Sequence, residues 1–238
     1  MSALAGQIAL VSGASRGIGL EIARSLCDAG MRVVMLARSD AQLRARAAEL
    51  GELAMPLACD VTSPEAVLQL ADHVTRTFGG PPHAIVNNAG VFSLATIERT
   101  SPREFRTAIE VNLVGPFLLT RAFLAAIRSR GTGHIVMIGS VADRATFPEN
   151  GSYAASKFGL RALQEVLRGE LRGSGVRTTL VSPGPVDTTM WDQIDPDGRP
   201  GFTPRREMLP AGAVAEAVRF ALSQPAAVNV DELRLSHS

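Results

Sequence analysis

The chain has 238 residues, 46% of them hydrophobic and 20% charged, with a formal net charge of +1. That length favours one large α/β domain with a sizeable core, and the near-balanced charge leaves no electrostatic footprint for nucleic acid or an acidic partner. The two cysteines, Cys27 and Cys59, have no ligand spacing around them, so they read as buried small hydrophobes rather than as a disulfide or metal pair.

Residues 1–6 run straight into a strand pattern, with neither a basic leader nor a signal-like apolar stretch. Apolar runs stop short of a membrane span. A soluble, cytoplasmic protein is the expectation, with no membrane and no metal involved. Along the chain, residues 7–12, 32–37, 53–59, 84–87, 134–139, 177–182 and 229–235 read as strands, most of them near-continuously apolar. Between them, residues 17–29, 41–50, 64–78, 102–130, 152–172 and 211–223 carry helical spacing. Alternation of β and α over the whole length predicts a doubly wound, Rossmann-type parallel sheet of about seven strands in three α/β/α layers. No linker or repeat divides it, so residues 1–238 form one expected domain. The stretch 108–127 is apolar nearly all round. It predicts either a central helix within one chain or burial against a second copy in a homodimer or homotetramer.

The first strand ends in Ser12-Gly13-Ala14-Ser15-Arg16-Gly17-Ile18-Gly19, and a helix follows at once. A glycine-rich turn at such a junction lets backbone approach a pyrophosphate, whose charge the helix N-terminus meets. Glycines also serve ordinary tight turns, but this position in an alternating chain favours a dinucleotide cofactor. The second strand ends Leu36-Ala37-Arg38-Ser39, with no carboxylate until Asp40. An acid there would hold the ribose 2′-hydroxyl of NAD, whereas an arginine accommodates the 2′-phosphate of NADP. Arg38, with Arg16 beside it, therefore predicts NADP(H) over NAD(H). In an arginine-rich chain the alternative is two solvated side chains.

Of the 24 lysines and arginines, Lys157 is the only lysine, and Tyr153 is the only tyrosine. Four apart at the start of a predicted helix, they share one face. A phenol titrates near ~10, and a neighbouring ammonium favours the phenolate and lowers that value. Tyr153 is thus the expected general acid for carbonyl reduction and base for alcohol oxidation. Lys157 is a point charge with donors to spare for ribose hydroxyls.

Gly13-x-x-x-Gly17-x-Gly19, Asn87-Asn88-Ala89-Gly90 and Tyr153-x-x-x-Lys157 together resemble the short-chain dehydrogenase/reductase family, over essentially the whole chain. The resemblance implies hydride transfer between NADP(H) and a small alcohol or carbonyl compound. It further implies that Asp60 and Val61 contact adenine and that Asn88, Ala89 and Gly90 lie beside the cofactor. Asn112 would support a water-mediated proton path to Lys157, and Ser140 would bind the substrate oxygen. Pro183, Gly184, Val186 and Thr188 would face the nicotinamide. The chain departs from the pattern at Ser12, where threonine is usual, and at Gly139, where serine is frequent. Its ending is more similar to the branch acting on 3-hydroxy acids and related alcohols.

Other readings fit less well. A Ser140 hydrolase lacks a histidine in a catalytic motif and leaves the glycine turn unexplained. A sugar-nucleotide epimerase needs a larger C-terminal part. A non-enzymatic dinucleotide sensor would not need the Tyr153–Lys157 pair. Substrate falls to the variable stretch 187–209, an expected mobile lid, aided by residues 142–150 and 91–95. Met190, Trp191, Phe202, Met208, Phe147 and Phe92 suggest a partly apolar pocket. Arg199, Arg205 and Arg206 either clamp a carboxylate or lie in solvent.

Overall fold

The computed structural model describes residues 3–238; the start of the expected domain, Met1 and Ser2, lies outside the described residues. In chain order the elements begin with β1 (Ile8–Ser12), α1 (Gly17–Asp28), β2 (Arg32–Ala37), α2 (Asp40–Leu50), β3 (Ala54–Ala58), α3 (Pro64–Phe78) and β4 (Ala84–Asn87). Then come α4 (Pro102–Ile109), a π-helical turn (Glu110–Val114), α5 (Gly115–Arg130), β5 (Gly133–Ile138), α6 (Gly151–Glu170) and β6 (Val176–Pro183). The chain closes with β7 (Val186–Asp187), β8 (Leu209–Pro210), α7 (Ala211–Ser223) and β9 (Glu232–Leu235).

Seven of the strands pair in parallel in the order β3-β2-β1-β4-β5-β6-β9. Period-two alternation sends Ala9, Val11, Val33 and Met35 into one apolar layer under α1 and α7. Ile8, Leu10, Val34 and Leu36 enter the other, with Leu119, Phe123 and Ile127 of α5 and Leu160 and Leu167 of α6. Burial on both faces explains why these strands read as continuous apolar runs. Cys27 and Cys59 are free and buried, and burial pushes each thiol up to about 11, with the charges of Asp28 and Asp60 adding to it. Serine caps at Ser63 and Ser101, each followed by proline, start α3 and α4 where the hydrophobic period begins.

The order reverses between β1 and β4, whose C-terminal ends part there. In an open α/β sheet this is where a ligand crevice forms. The predicted helix 102–130 is interrupted by the π-helical turn, which contains Asn112. This run, Pro102–Arg130, is the one helix among the described residues long and apolar enough to cross a membrane, and Leu119, Phe123 and Ile127 within it are buried against the sheet. Between Asp187 and Leu209 the chain leaves the sheet in an excursion with three short helical turns. Its ends are fastened by a two-residue parallel bridge, Val186 to Leu209 and Asp187 to Pro210.

One buried histidine gives the fold an acid limit. His134 is 2% exposed on β5 and meets the Thr179 hydroxyl at 2.7 Å, while Thr179 donates to the Val230 carbonyl at 2.6 Å. Burial, helped by the Arg177 charge, pushes its pKa from 6.5 down to about 3. The unfolded chain therefore binds a proton between those values that the folded chain refuses. Stability from this group is complete above pH 6.5 and falls as pH drops toward 3, by up to a few kcal/mol on the order of ~1.4 per pKa unit. Thermal unfolding followed from pH 7 to 4 should show a steeper decline in the parent than in His134→Gln. Parallel declines would remove His134 as the cause.

Candidate active site

A cleft of about 370 Å³ lies over the C-terminal ends of β1, β2, β4, β5 and β6. One wall is the turn after β1. Gly13 and Gly17 have φ of +67° and +55°, a region that side chains with a Cβ rarely enter. A Cβ on Gly13 would stand 2.8 Å from the Ala89 backbone. Gly19 does not line the cleft; a Cβ there would meet the Gly13 carbonyl at 2.2 Å, so its bareness lets α1 close onto the turn. Ser12 fastens the turn to β4. Its hydroxyl donates to the Val86 carbonyl at 3.4 Å and accepts from the amides of Asn88 and Ala89 at 3.0 Å each. Asn88 returns its amide to the carbonyls of Ser12 and Gly13 at 2.9 and 3.3 Å.

The N-terminus of α1 carries no side-chain cap, unlike α3 and α4. Its backbone N–H groups face a lined cavity, an arrangement suited to a phosphate. At the far rim stand Ala37, Arg38, Ser39 and Gln42, with Arg16 opposite. Asp40 turns away and binds Arg44 at 2.7 Å. Neither Arg16 nor Arg38 forms an ion pair among the described residues, although Arg16 reaches the Thr189 hydroxyl at 3.3 Å. Two guanidinium groups on the cleft lining, neither in an ion pair among the described residues, fit the 2′-phosphate expected from the sequence. The Asp60 carboxyl sits below its ordinary range because it accepts from the Thr62 amide and hydroxyl, with a smaller contribution from the Arg38 charge.

The opposite end of the cleft brings together Ser140, after β5, with Tyr153 and Lys157 on the first turns of α6. Lys157 is 4% exposed and its Nζ donates to the Ile138 carbonyl at 2.8 Å, 5.6 Å from the Tyr153 ring centre. Asn112 lies behind them, fully buried, and does not line the cleft. It clamps the Val91 backbone through bonds of 2.8 and 3.0 Å and donates to Ser156 at 3.0 Å. Ser15, Ile18, Val61, Gly90, Pro183, Gly184, Val186 and Thr188 all line the space between the two ends.

Two findings differ from the sequence expectation. The ammonium does not lower the phenol in this environment. Burial drives Tyr153 up to about 12, and the Asp143 charge adds to this, while a hydrogen bond from Ser140 offsets part of it. Burial likewise pushes Lys157 down to about 8, against the pull of Asp143. Second, the arginines of the excursion are committed. Arg205 binds Asp187 at 2.8 Å and Asp192 at 2.5 Å, and Arg199 binds Glu149 at 2.5 Å while lying 4.8 Å over Phe202. Arg206 is exposed and paired with Glu207. Met208 is buried in the protein, not in the pocket. Phe92 instead joins Tyr153 and Trp191 in edge contacts at 4.8 and 5.2 Å, an aromatic wall beside the phenol.

Ser39 and Gln42 also line the cleft and Asp143 lies behind Ser140, none of them singled out individually by the sequence motifs. Only their places beside Ser140 and Arg38 signal them. Among the described residues no cluster of three histidine, cysteine or acidic groups suited to a metal is present.

A family model described as short chain dehydrogenase matches residues 7–199. A 3-alpha-(or 20-beta)-hydroxysteroid dehydrogenase of Mycobacterium tuberculosis is 37% identical over 194 residues, 82% of this chain and 74% of that protein. A farnesol dehydrogenase of Aedes aegypti is 35% identical over 245 residues, covering 99% of this chain and 97% of that protein. A metagenomic short-chain oxidoreductase solved in complex with NADP superposes with a TM-score of 0.84 at 33% identity, covering all of both chains.

Proposed function

The chain belongs to the short-chain dehydrogenase family, and from that premise we propose that it transfers a hydride between NADP(H) and an uncharged, largely apolar alcohol or carbonyl compound. One observation carries the reading: a phosphate-fitting glycine turn and the Ser140–Tyr153–Lys157 group line the two ends of a single cleft. When bound, the cofactor supplies the hydride, and its oxidised ring adds a positive charge to the site. The Ser140 hydroxyl orients the substrate oxygen, and Tyr153 gives it a proton in reduction or takes one in oxidation. The buried Lys157 ammonium stands 5.6 Å from the centre of the phenol ring and holds ribose hydroxyls with its remaining donors. Asn112 keeps the segment after β4 in place and supports the proton path to Lys157. Pro183, Gly184, Val186 and Thr188 hold the nicotinamide end, and Asp60 and Val61 hold the adenine.

The paired arginines and the Phe92–Trp191 wall favour an apolar substrate over a carboxylate. Relatives named for a hydroxysteroid and for farnesol fit that class. We read residues 1–238 as one domain in which 187–209 acts as the lid. Phe117 on α5 and Phe158 on α6, both exposed, support a homo-oligomer through these helices.

Cofactor choice gives the test. A charge-assisted bond to phosphate contributes about 1.5–3 kcal/mol, roughly ten- to more than a hundredfold in binding. Parent enzyme should show the higher kcat/KM with NADPH, measured on one ketone of a panel. Ala37→Asp combined with Arg38→Leu should bring NADH level or ahead. A parent that prefers NADH would reduce Arg38 to a solvated side chain. A double variant that still prefers NADPH would place the phosphate on Arg16.

A further inference from the structure

The loop that carries Ser140 is built around a carboxylate with no part in the steps above. Asp143 is fully buried. Its Oδ2 accepts from the Ser182 hydroxyl at 2.5 Å and from the Ser140 amide at 3.4 Å. In return, Ser140 Oγ accepts from the Ala142 amide at 3.2 Å, so serine and aspartate cap the same short helical turn from both sides. Asp143 Oδ1 takes Arg144 Nε at 2.8 Å, and Arg161 of α6 stands 3.8 Å away. Both arginines also pair with Glu232 of β9, and Arg161 with Glu165 at 3.0 Å. The carboxylate is thereby tied to the helix that carries Tyr153 and to the edge strand.

Position 139 shows how tightly this space is used. A Cβ added to Gly139 would lie 2.6 Å from Asp143 Oδ2 and 2.7 Å from Ser182 Oγ. Bare glycine and buried carboxylate therefore share one volume, directly behind the residue proposed to hold the substrate oxygen.

We propose that Asp143 is a positioning residue of this enzyme. It holds the Ser140 turn in the backbone arrangement that sets the hydroxyl beside Tyr153, and it fixes a negative charge behind the serine, tyrosine and lysine. The inference rests on the reading of those three residues given above. Burial is the larger influence on both Tyr153 and Lys157, but the Asp143 charge also holds the proton on each. The other charges facing it are Arg144 on its own turn, Arg161 on α6 and Glu232 on β9.

Asp143→Asn keeps the shape and removes the charge. Because small misplacements of reacting groups are costly, kcat should fall about ten- to a hundredfold, with KM for the ketone changing less. The ionisations that limit kcat should move to lower pH, since a charge that retains protons is gone. Thermal unfolding of the same variant shows whether the fold is kept. Unchanged kcat overturns the proposal, and so does a lower kcat whose pH profile stays in place. The shared volume is tested separately. Gly139→Ser alone should lower the midpoint of thermal unfolding by several degrees through overpacking, and adding Asp143→Ala should restore part of that stability. A double variant no better than Gly139→Ser overturns the shared-space argument. Tyr153→Phe, run alongside, separates the two levels: near-parent activity there overturns the reading of the site and the role of Asp143 with it.

Discussion

Tyr153→Phe should lower turnover by about 10²–10⁴-fold or more, the cost of removing one positioned acid, while NADPH still binds nearly as before. The ring is expected to stay where it is. Its edge contact with Phe92 at 4.8 Å needs no hydroxyl, and its helix position beside Lys157 is set by the backbone. What disappears is the hydroxyl proposed to carry the proton beside Ser140. In the protein alone that phenol is pushed up to about 12 by burial, helped by Asp143 and opposed by Ser140. It is therefore a protonated donor at neutral pH, ready for the reductive direction. The oxidative direction needs the phenolate and should gain more from raised pH. The measurement is kcat and KM in both directions, together with the dissociation constant of NADPH by fluorescence. Turnover within a few-fold of the parent would remove Tyr153 from the chemistry.

Lys157→Arg should be nearly as damaging although it keeps the charge. The ammonium is buried at 4% exposure and spends one donor on the Ile138 carbonyl at 2.8 Å. A guanidinium is larger, planar and carries five donors in a fixed fork, where the ammonium needs only a point contact with the Ile138 carbonyl. The expected result is a fall in kcat of about a hundredfold, with weaker NADPH binding through lost ribose contacts. The pH dependence gives an independent check. Burial lowers Lys157 to about 8, against the pull of Asp143, so its charge is present below that pH and lost above it. Parent turnover should carry an ionisation on the alkaline side that the arginine variant lacks, because arginine stays protonated there. An arginine variant as fast as the parent would show that the single lysine in this chain has no special task.

Much of this was legible from residue order. The glycine turn follows β1 and Ser140 follows β5, with Tyr153 and Lys157 on the next long helix, α6, and apolar runs mark the strands because both sheet faces are covered. The shared pocket of Gly13, Ser140, Tyr153 and Lys157 follows from that topology. Other features have no local sequence signal. The π-helical turn at Glu110–Val114 adds no break residue to an apolar helix pattern, so 102–130 read as continuous. The bridge of β7 and β8 is too short for alternation to register. Pairing of Arg199 with Glu149, fifty residues away, and of Asp143 with Ser182 depends on tertiary placement. The shift of Tyr153 has the same origin: spacing shows the lysine but not how the surrounding protein desolvates the half-buried phenol.

The bridge that fastens the ends of the 187–209 excursion also bears on how such a chain diversifies. With Val186 and Leu209 already paired, the intervening segment is a loop closed at its base. Lengthening a loop costs little, about 0.6 kcal/mol for each doubling. Insertions there should thus leave the parallel sheet and its strand register untouched. If the middle of the excursion holds substrate, as proposed, substrate range can change there while the glycine turn and the tyrosine–lysine pair stay in place.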